Sequence, residues 1–230
     1  MSNTIAHLAV AESIYSRYKN KINDADAFFL GNLAPDTISS MPGCQRQDKL
    51  YVHLRNGISD IEWLNPDQMA IFDERKDELI SRFILADDIE PSQKSFNIGY
   101  LAHLLTDKCN HMTLRQKVLK VAITQGLTER NYGFFGMIIN DLDALDAYLL
   151  DSRPEIAALF ERITSRPAEH GLPGYIEKEY INGSMVWWKE QYLPAIRQRE
   201  LITLGHEDID WFVDYAARAV AGELTEYGIL

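Results

Sequence analysis

A chain of 230 residues with 46% hydrophobic and 25% charged residues has the composition of a well-cored globular protein, which excludes disordered, collagen-like and disulfide-stapled classes. The 34 acidic residues outnumber the 23 basic ones, and the formal net charge of −11 repels a phosphate backbone, so no nucleic-acid partner is expected. Cys44 and Cys109 alone fit a reducing cytoplasm, and the opening MSNTIAHLAV reads as neither signal peptide nor membrane span, so the expectation is cytoplasmic with no stable membrane association.

Helical periodicity runs along the chain, and strand alternation is nowhere convincing. Asn3 or Thr4 is placed to cap a first helix from Ile5 to Lys19, and a short second helix covers Ala25 to Gly31. From Gly31 to Val52 the sequence holds Pro35, Ser39, Ser40, Pro42 and Gly43 with little periodicity, which predicts a long loop. Further helices are expected over Pro66 to Leu85, Gln93 to Asn110, Leu114 to Thr124, Asn131 to Leu150, Pro154 to Ile163, Pro173 to Glu200 and Glu207 to Tyr227. Pro194 should kink or split the penultimate one. No linker or fixed-period repeat divides the chain, so the expected fold is a single all-α multi-helix bundle, with residues 1–150 forming the site-bearing part and 151–230 an added helical layer.

Polar residues on apolar faces carry the chemistry. The segment FNIGYLAHLLTDKCNH, from Phe96 to His111, is apolar nearly all round as a helix, and its one polar strip holds Gly99, His103, Asp107 and Asn110, with His111 at the edge. An imidazole and a carboxylate one turn apart can reach the same metal ion, although as a lone pair they also read as a satisfied core hydrogen bond. His7 falls in the apolar arc of Val10, Ala11, Ile14 and Tyr18, and Asp141 centres the apolar face of Phe134, Met137, Ile138, Leu145 and Tyr148. A buried carboxylate must be paired or bound to a cation, whereas Asp143 and Asp146 fall toward an opposite face expected to be solvated. Asp36 behind Pro35 and His53 beside Arg55 add two candidates in and after the loop. Together these residues point to metal binding.

The ordered series formed by His7, LGNLAPD ending at Asp36, His53, and GYLAHLLTDKCNH with His103, Asp107 and His111 resembles the zinc-dependent phospholipase C family, whose helical fold is shared with single-strand nucleases. The resemblance covers roughly the first 150 residues. It implies zinc ions, up to three in the family, on a helical bundle that cleaves phosphoester bonds. His53, His103 and Asp107 would hold one ion, Asp107 would bridge to a second near His7, and His111 would begin the site of a third. Asp36 would be the carboxylate beside the attacking water. The chain departs from the family in beginning MSNTIAH without a terminal tryptophan ligand, in a short Asp107 to His111 gap, and in offering Asn140 and Asp141 where the family has a histidine and a glutamate. One or two ions of zinc or a similar divalent metal, held among His7, His53, His103, Asp107 and Asp141, are therefore expected.

The implied activity is hydrolysis of a small soluble phosphoester by metal-activated water, with Asp36 handling the proton. Arg55, Lys108 and Arg115 are candidates for neutralising the substrate phosphate, although each also reads as a solvated surface charge. A rival is an HD-type phosphohydrolase, but the chain has no adjacent His-Asp doublet. A second rival of another class is a non-catalytic helical module with a structural or vestigial metal site.

Overall fold

A computed structural model of the chain describes residues 3–128, 130 and 132–230. The helices in chain order are α1 (Thr4–Tyr18), α2 (Ala25–Thr37), α3 (Arg46–Val52), α4 (Pro66–Phe83), α5 (Pro91–Met112), α6 (Leu114–Thr124), α7 (Tyr132–Ser152), α8 (Pro154–Thr164), α9 (Lys178–Trp187), α10 (Leu193–Ile196) and α11 (His206–Glu226). They pack as one all-α bundle. No strand occurs among the described residues, where pairing is limited to the isolated bridge between Leu172 and Ile176. No helix among them is long and apolar enough to cross a membrane. Asn131, where the seventh helix was expected to begin, lies outside the described residues.

Local chemistry starts several of these helices. The Asp24 carboxylate accepts from the Ala27 amide at 3.0 Å to cap α2, and the Glu90 side chain accepts from Gln93 at 2.8 Å, with Pro91 pre-set for the first turn of α5. Asn3 precedes α1 without a side-chain cap.

The expected long loop from Gly31 to Val52 is corrected by the structure. α2 continues through Pro35 to Thr37, a 3₁₀ turn follows at Ile38–Ser40, and α3 occupies Arg46–Val52. Pro35 deprives the Gly31 carbonyl of its helical donor, yet the helix holds because Gly31 is pressed against α5, whose backbone covers that turn. α3 starts on a reciprocal box in which the Asp48 carboxylate accepts from the Gln45 amide at 2.8 Å. The expected helix from Pro173 is also shorter, since 173–175 form a turn closed by the Leu172 to Ile176 pairing and the helix starts at Lys178. Its run does change before Pro194: Trp188–Tyr192 form a π-helical turn between α9 and α10.

The crossing of α2 and α5 organises the centre. A Cβ on Gly31 would lie 1.9 Å from the Phe96 carbonyl oxygen, and one on Gly99 would lie 1.9 Å from that of Phe28. Only glycine at both positions lets the two backbones touch, and this contact brings the last turns of α2 against the polar strip of α5.

Candidate metal centre

Five side chains from three helices and one helix end converge beside that crossing. His7 comes from α1, Asp36 from α2, His53 from the C-terminal end of α3, and His103 and Asp107 from α5. The three histidines and Asp36 are buried, and the Asp107 side chain keeps 18% of its exposure. Among the described residues, two groups have ligand atoms within 4.8 Å of one another, namely His7, His103 and Asp107, and Asp36, His53 and His103.

The tautomers follow from the backbone. His103 Nδ1 lies 2.8 Å from the Asn32 carbonyl and His53 Nδ1 lies 2.7 Å from the Lys49 carbonyl. A carbonyl only accepts, so both Nδ1 atoms carry hydrogen, and each neutral ring turns a bare Nε2 toward the other at 3.3 Å. Burial pushes His53 down to about 4 against the pull of Asp107, and burial, then His7, hold His103 well below the usual imidazole range. Two lone pairs thus face each other, an arrangement that a cation between them would relieve. The spacing matches one edge of a tetrahedron with metal–nitrogen bonds of ~2.0–2.1 Å, about 3.3–3.4 Å. The donor set fits a divalent ion.

The carboxylates complete the two groups. Asp107 places Oδ1 3.3 Å from His7 Nε2 and Oδ2 3.7 Å and 4.0 Å from the Nε2 atoms of His53 and His103. It belongs to the first group and reaches His53 of the second. His7 stacks on His103 with ring centroids 3.8 Å apart. Asp36 Oδ1 lies 3.0 Å from Lys49 Nζ and 3.8 Å from His53 Nε2, and Oδ2 accepts from the Thr4 hydroxyl at 3.2 Å. Burial alone would raise its pKa, but Lys49 and the histidines outweigh that and hold the carboxyl far below the usual range. Asp107, likewise raised by burial, is brought well below it by His7 first, then His103 and His53. Both acids are anions at neutral pH.

Several expectations are corrected. Asp36 lies on no flexible loop but in the last turn of a buried helix. Asp141 is fully buried as expected, yet it does not join the cluster: its two oxygens accept from the amides of Ile202, Thr203 and Leu204 at 2.7, 2.9 and 3.1 Å. Asp143 and Asp146 do not face water. Arg199, after α10, lies 3.6 Å from Asp143, and Asp146 accepts from the Tyr192 hydroxyl, just before α10, and from the Ile5 and Ala6 amides at the start of α1. Burial raises Asp146 to about 7 and Asp143 to about 6. An Asp141→Ala protein should therefore lose about 2–4 kcal/mol by leaving buried amides without acceptors, with metal stoichiometry unchanged by elemental analysis. Loss of metal without loss of stability would return Asp141 to the site.

His111 is buried but belongs to neither group. Its ring lies edge-on to Trp63 with centroids 4.3 Å apart, and burial, Arg55 and Arg115 hold it well below the imidazole range. Neither arginine is a solvated surface charge. Arg115 is buried over the rings of Phe134 and Phe135 and does not line the cavity described next. Lys108 turns to Asp73 and Glu223 on α4 and α11.

A cavity of about 840 Å³ opens on the cluster, with His53 and Asp107 in its wall. Arg46, Lys49, Arg55 and Arg130 line it together with the apolar Phe135 and Ile139. Lys49, Asp60 and Thr4 escaped sequence reasoning. Lys49 had a signal, since it lies one helical turn before His53, but that spacing has meaning only once α3 is recognised as a helix.

Compared with protein-family models, with curated proteins and with solved structures, the chain matches none. What stands is an all-helical protein with buried histidine and aspartate groups able to hold a metal ion.

Proposed function

We propose that the chain is a metal-dependent hydrolase of small soluble phosphoesters, of the kind that the resemblance to the zinc-dependent phospholipase C family implies. One observation carries the reading: two buried imidazoles with bare nitrogens 3.3 Å apart, one of which, His53, lies in the wall of a cavity lined by arginine and lysine on a protein of net charge −11. An imidazole and carboxylate donor set suits zinc. Either Asp36, His53 and His103 or His7, His103 and Asp107 would hold a divalent ion, with His103 in both sets. His111 is assigned to no ion.

A divalent ion held there would supply Lewis acidity, lowering the pKa of water and polarising a phosphoryl oxygen. The chain's own residues supply the rest. Asp36 is assigned to holding metal and not to proton transfer, because its oxygens are committed to Thr4, Lys49 and His53 and it does not line the cavity. Asp107 faces the cavity and accepts a hydrogen bond from the attacking water. The cationic side chains of the wall neutralise the substrate phosphate.

The test is elemental analysis of protein purified without chelator, followed by assay of the metal-loaded protein with p-nitrophenyl phosphate and bis-p-nitrophenyl phosphate. Stoichiometric metal and chelator-sensitive hydrolysis are expected. Bound metal with no hydrolysis of either ester would favour the non-catalytic module, a reading suggested by the lock of Lys49 and Thr4 on Asp36. Protein that takes up no divalent ion would end both readings.

A further inference from the structure

The turn that follows α3 is built more tightly than a connection requires. Leu54 adopts φ 58°, the left-handed region that a branched apolar side chain rarely enters, and Gly57 follows at φ 76°. Three groups pin this turn. Tyr100 of α5 donates its hydroxyl to the Val52 carbonyl, and Arg75 of α4 donates from Nη1 to the carbonyls of Leu54 at 2.9 Å and Asn56 at 2.7 Å. The Arg55 amide donates to the Leu50 carbonyl at 2.7 Å. With Leu54 left-handed, the residues on either side of it, His53 and Arg55, both line the cavity.

Arg55 is itself immobilised. Its side chain is 6% exposed, Nη2 is paired with Asp60, and its guanidinium carbon stands 3.9 Å over the Trp63 ring. Asp60 divides its two oxygens between Arg55 and Arg46, so two arginines share one carboxylate and one positive charge is left over in the cavity wall. Arg55 Nε is buried and has no hydrogen-bond partner. A planar guanidinium in the cavity wall, held in place, with an unpartnered donor and surplus charge beside it, has the chemistry that recognises a tetrahedral oxyanion.

We propose that residues 52–57 form a phosphoryl-binding cradle in which Arg55 grips the phosphate of the substrate and Arg75, outside the cavity, is the positioning residue that holds Arg55 and His53 in register. The proposal rests on the phosphoester reading above, and it is tested separately from it with inorganic phosphate as the probe. Titration calorimetry on chelator-treated and on zinc-loaded protein should show phosphate binding in both states, tighter with zinc.

Arg55→Lys keeps the charge but loses the planar fork, and should weaken phosphate binding at least ten-fold while zinc content stays at the wild-type value. Arg75→Met should weaken phosphate and zinc together, because both Arg55 and His53 hang on the turn, with helical content by circular dichroism unchanged and Arg75→Lys partly restoring both. A lowered melting temperature with both affinities intact would make Arg75 merely structural and overturn its assignment. Wild-type phosphate affinity in Arg55→Lys, or no phosphate binding by the wild type at millimolar concentration, would overturn the cradle even if the protein hydrolyses esters. If the protein takes up no zinc but binds phosphate in an Arg55-dependent way, the cradle stands and the hydrolase reading falls.

Discussion

A His103→Ala protein is expected to bind divalent metal about 10²-fold or more weakly than the wild type, since even loss of a supporting residue around a metal costs 10–100-fold. His103 is the residue common to both candidate groups, and its Nε2 lies within 4.0 Å of both His53 Nε2 and Asp107 Oδ2. Removing it leaves each group short of an imidazole. The wild type should also lose stability on chelation, because ligands that face each other at 3.3 Å are repulsive without the ion. A metal present at 100 times its Kd contributes about 2.7 kcal/mol, which for a chain of this size is roughly 5–10 °C in melting temperature. In His103→Ala, weakened about 10²-fold, the same metal concentration contributes only about 0.4 kcal/mol, so chelator should lower its melting temperature by no more than about 2 °C. Elemental analysis and paired thermal scans check both points, and wild-type stoichiometry in the variant would sink the assignment of His103.

How much of this was legible in the sequence depended on whether the signal was periodic. α5 was readable, since an apolar circumference interrupted by one polar strip points to a central helix, and the strip did carry the two α5 residues of the cluster, His103 and Asp107. His7 was readable for the same reason, as a polar residue in an apolar arc. The stretch from Gly31 to Val52 was misread because Pro35, Pro42 and Gly43 outweigh a helical signal in local propensity, while the contact that keeps α2 helical past Pro35 is tertiary. That error put Asp36 on a loop and hid Lys49.

Asp141 shows the opposite failure. Its burial was inferred correctly, but burial does not name the partner. The chain from 202 to 204 returns three amides to it from sixty residues away, a pairing that no periodicity encodes. The solvated face assumed for Asp143 and Asp146 failed for the same reason: the last third of the chain covers that face, and the π-helical turn ending at Tyr192 delivers a hydroxyl to Asp146.

Gly99→Ala should be a severely damaging single-methyl change. Its new Cβ would lie 1.9 Å from the Phe28 carbonyl oxygen and 2.9 Å from the Asn32 amide nitrogen, and both are backbone atoms of α2 that have no rotamer to change. Relief requires the helices to separate by more than 1 Å, which gives up packing along the whole crossing. Overpacking of a core typically costs 1–3 kcal/mol when side chains can adjust, so about 3 kcal/mol is the lower bound expected here. The damage should reach the metal centre, because separation lengthens the 2.8 Å contact from His103 Nδ1 to the Asn32 carbonyl and draws Asp36 away from His103. Gly31→Ala meets the Phe96 carbonyl at the same 1.9 Å and should behave alike. Gly136 and Gly222 lie in α7 and α11 with nothing within 4 Å of an added Cβ, so alanine there should be neutral or stabilise by up to about 1 kcal/mol through helix propensity. Urea unfolding and zinc titration of the four variants separate the effects. If Gly99→Ala unfolds at the wild-type midpoint and binds zinc normally, the two backbones do not touch at this crossing, and the crossing does not position the site.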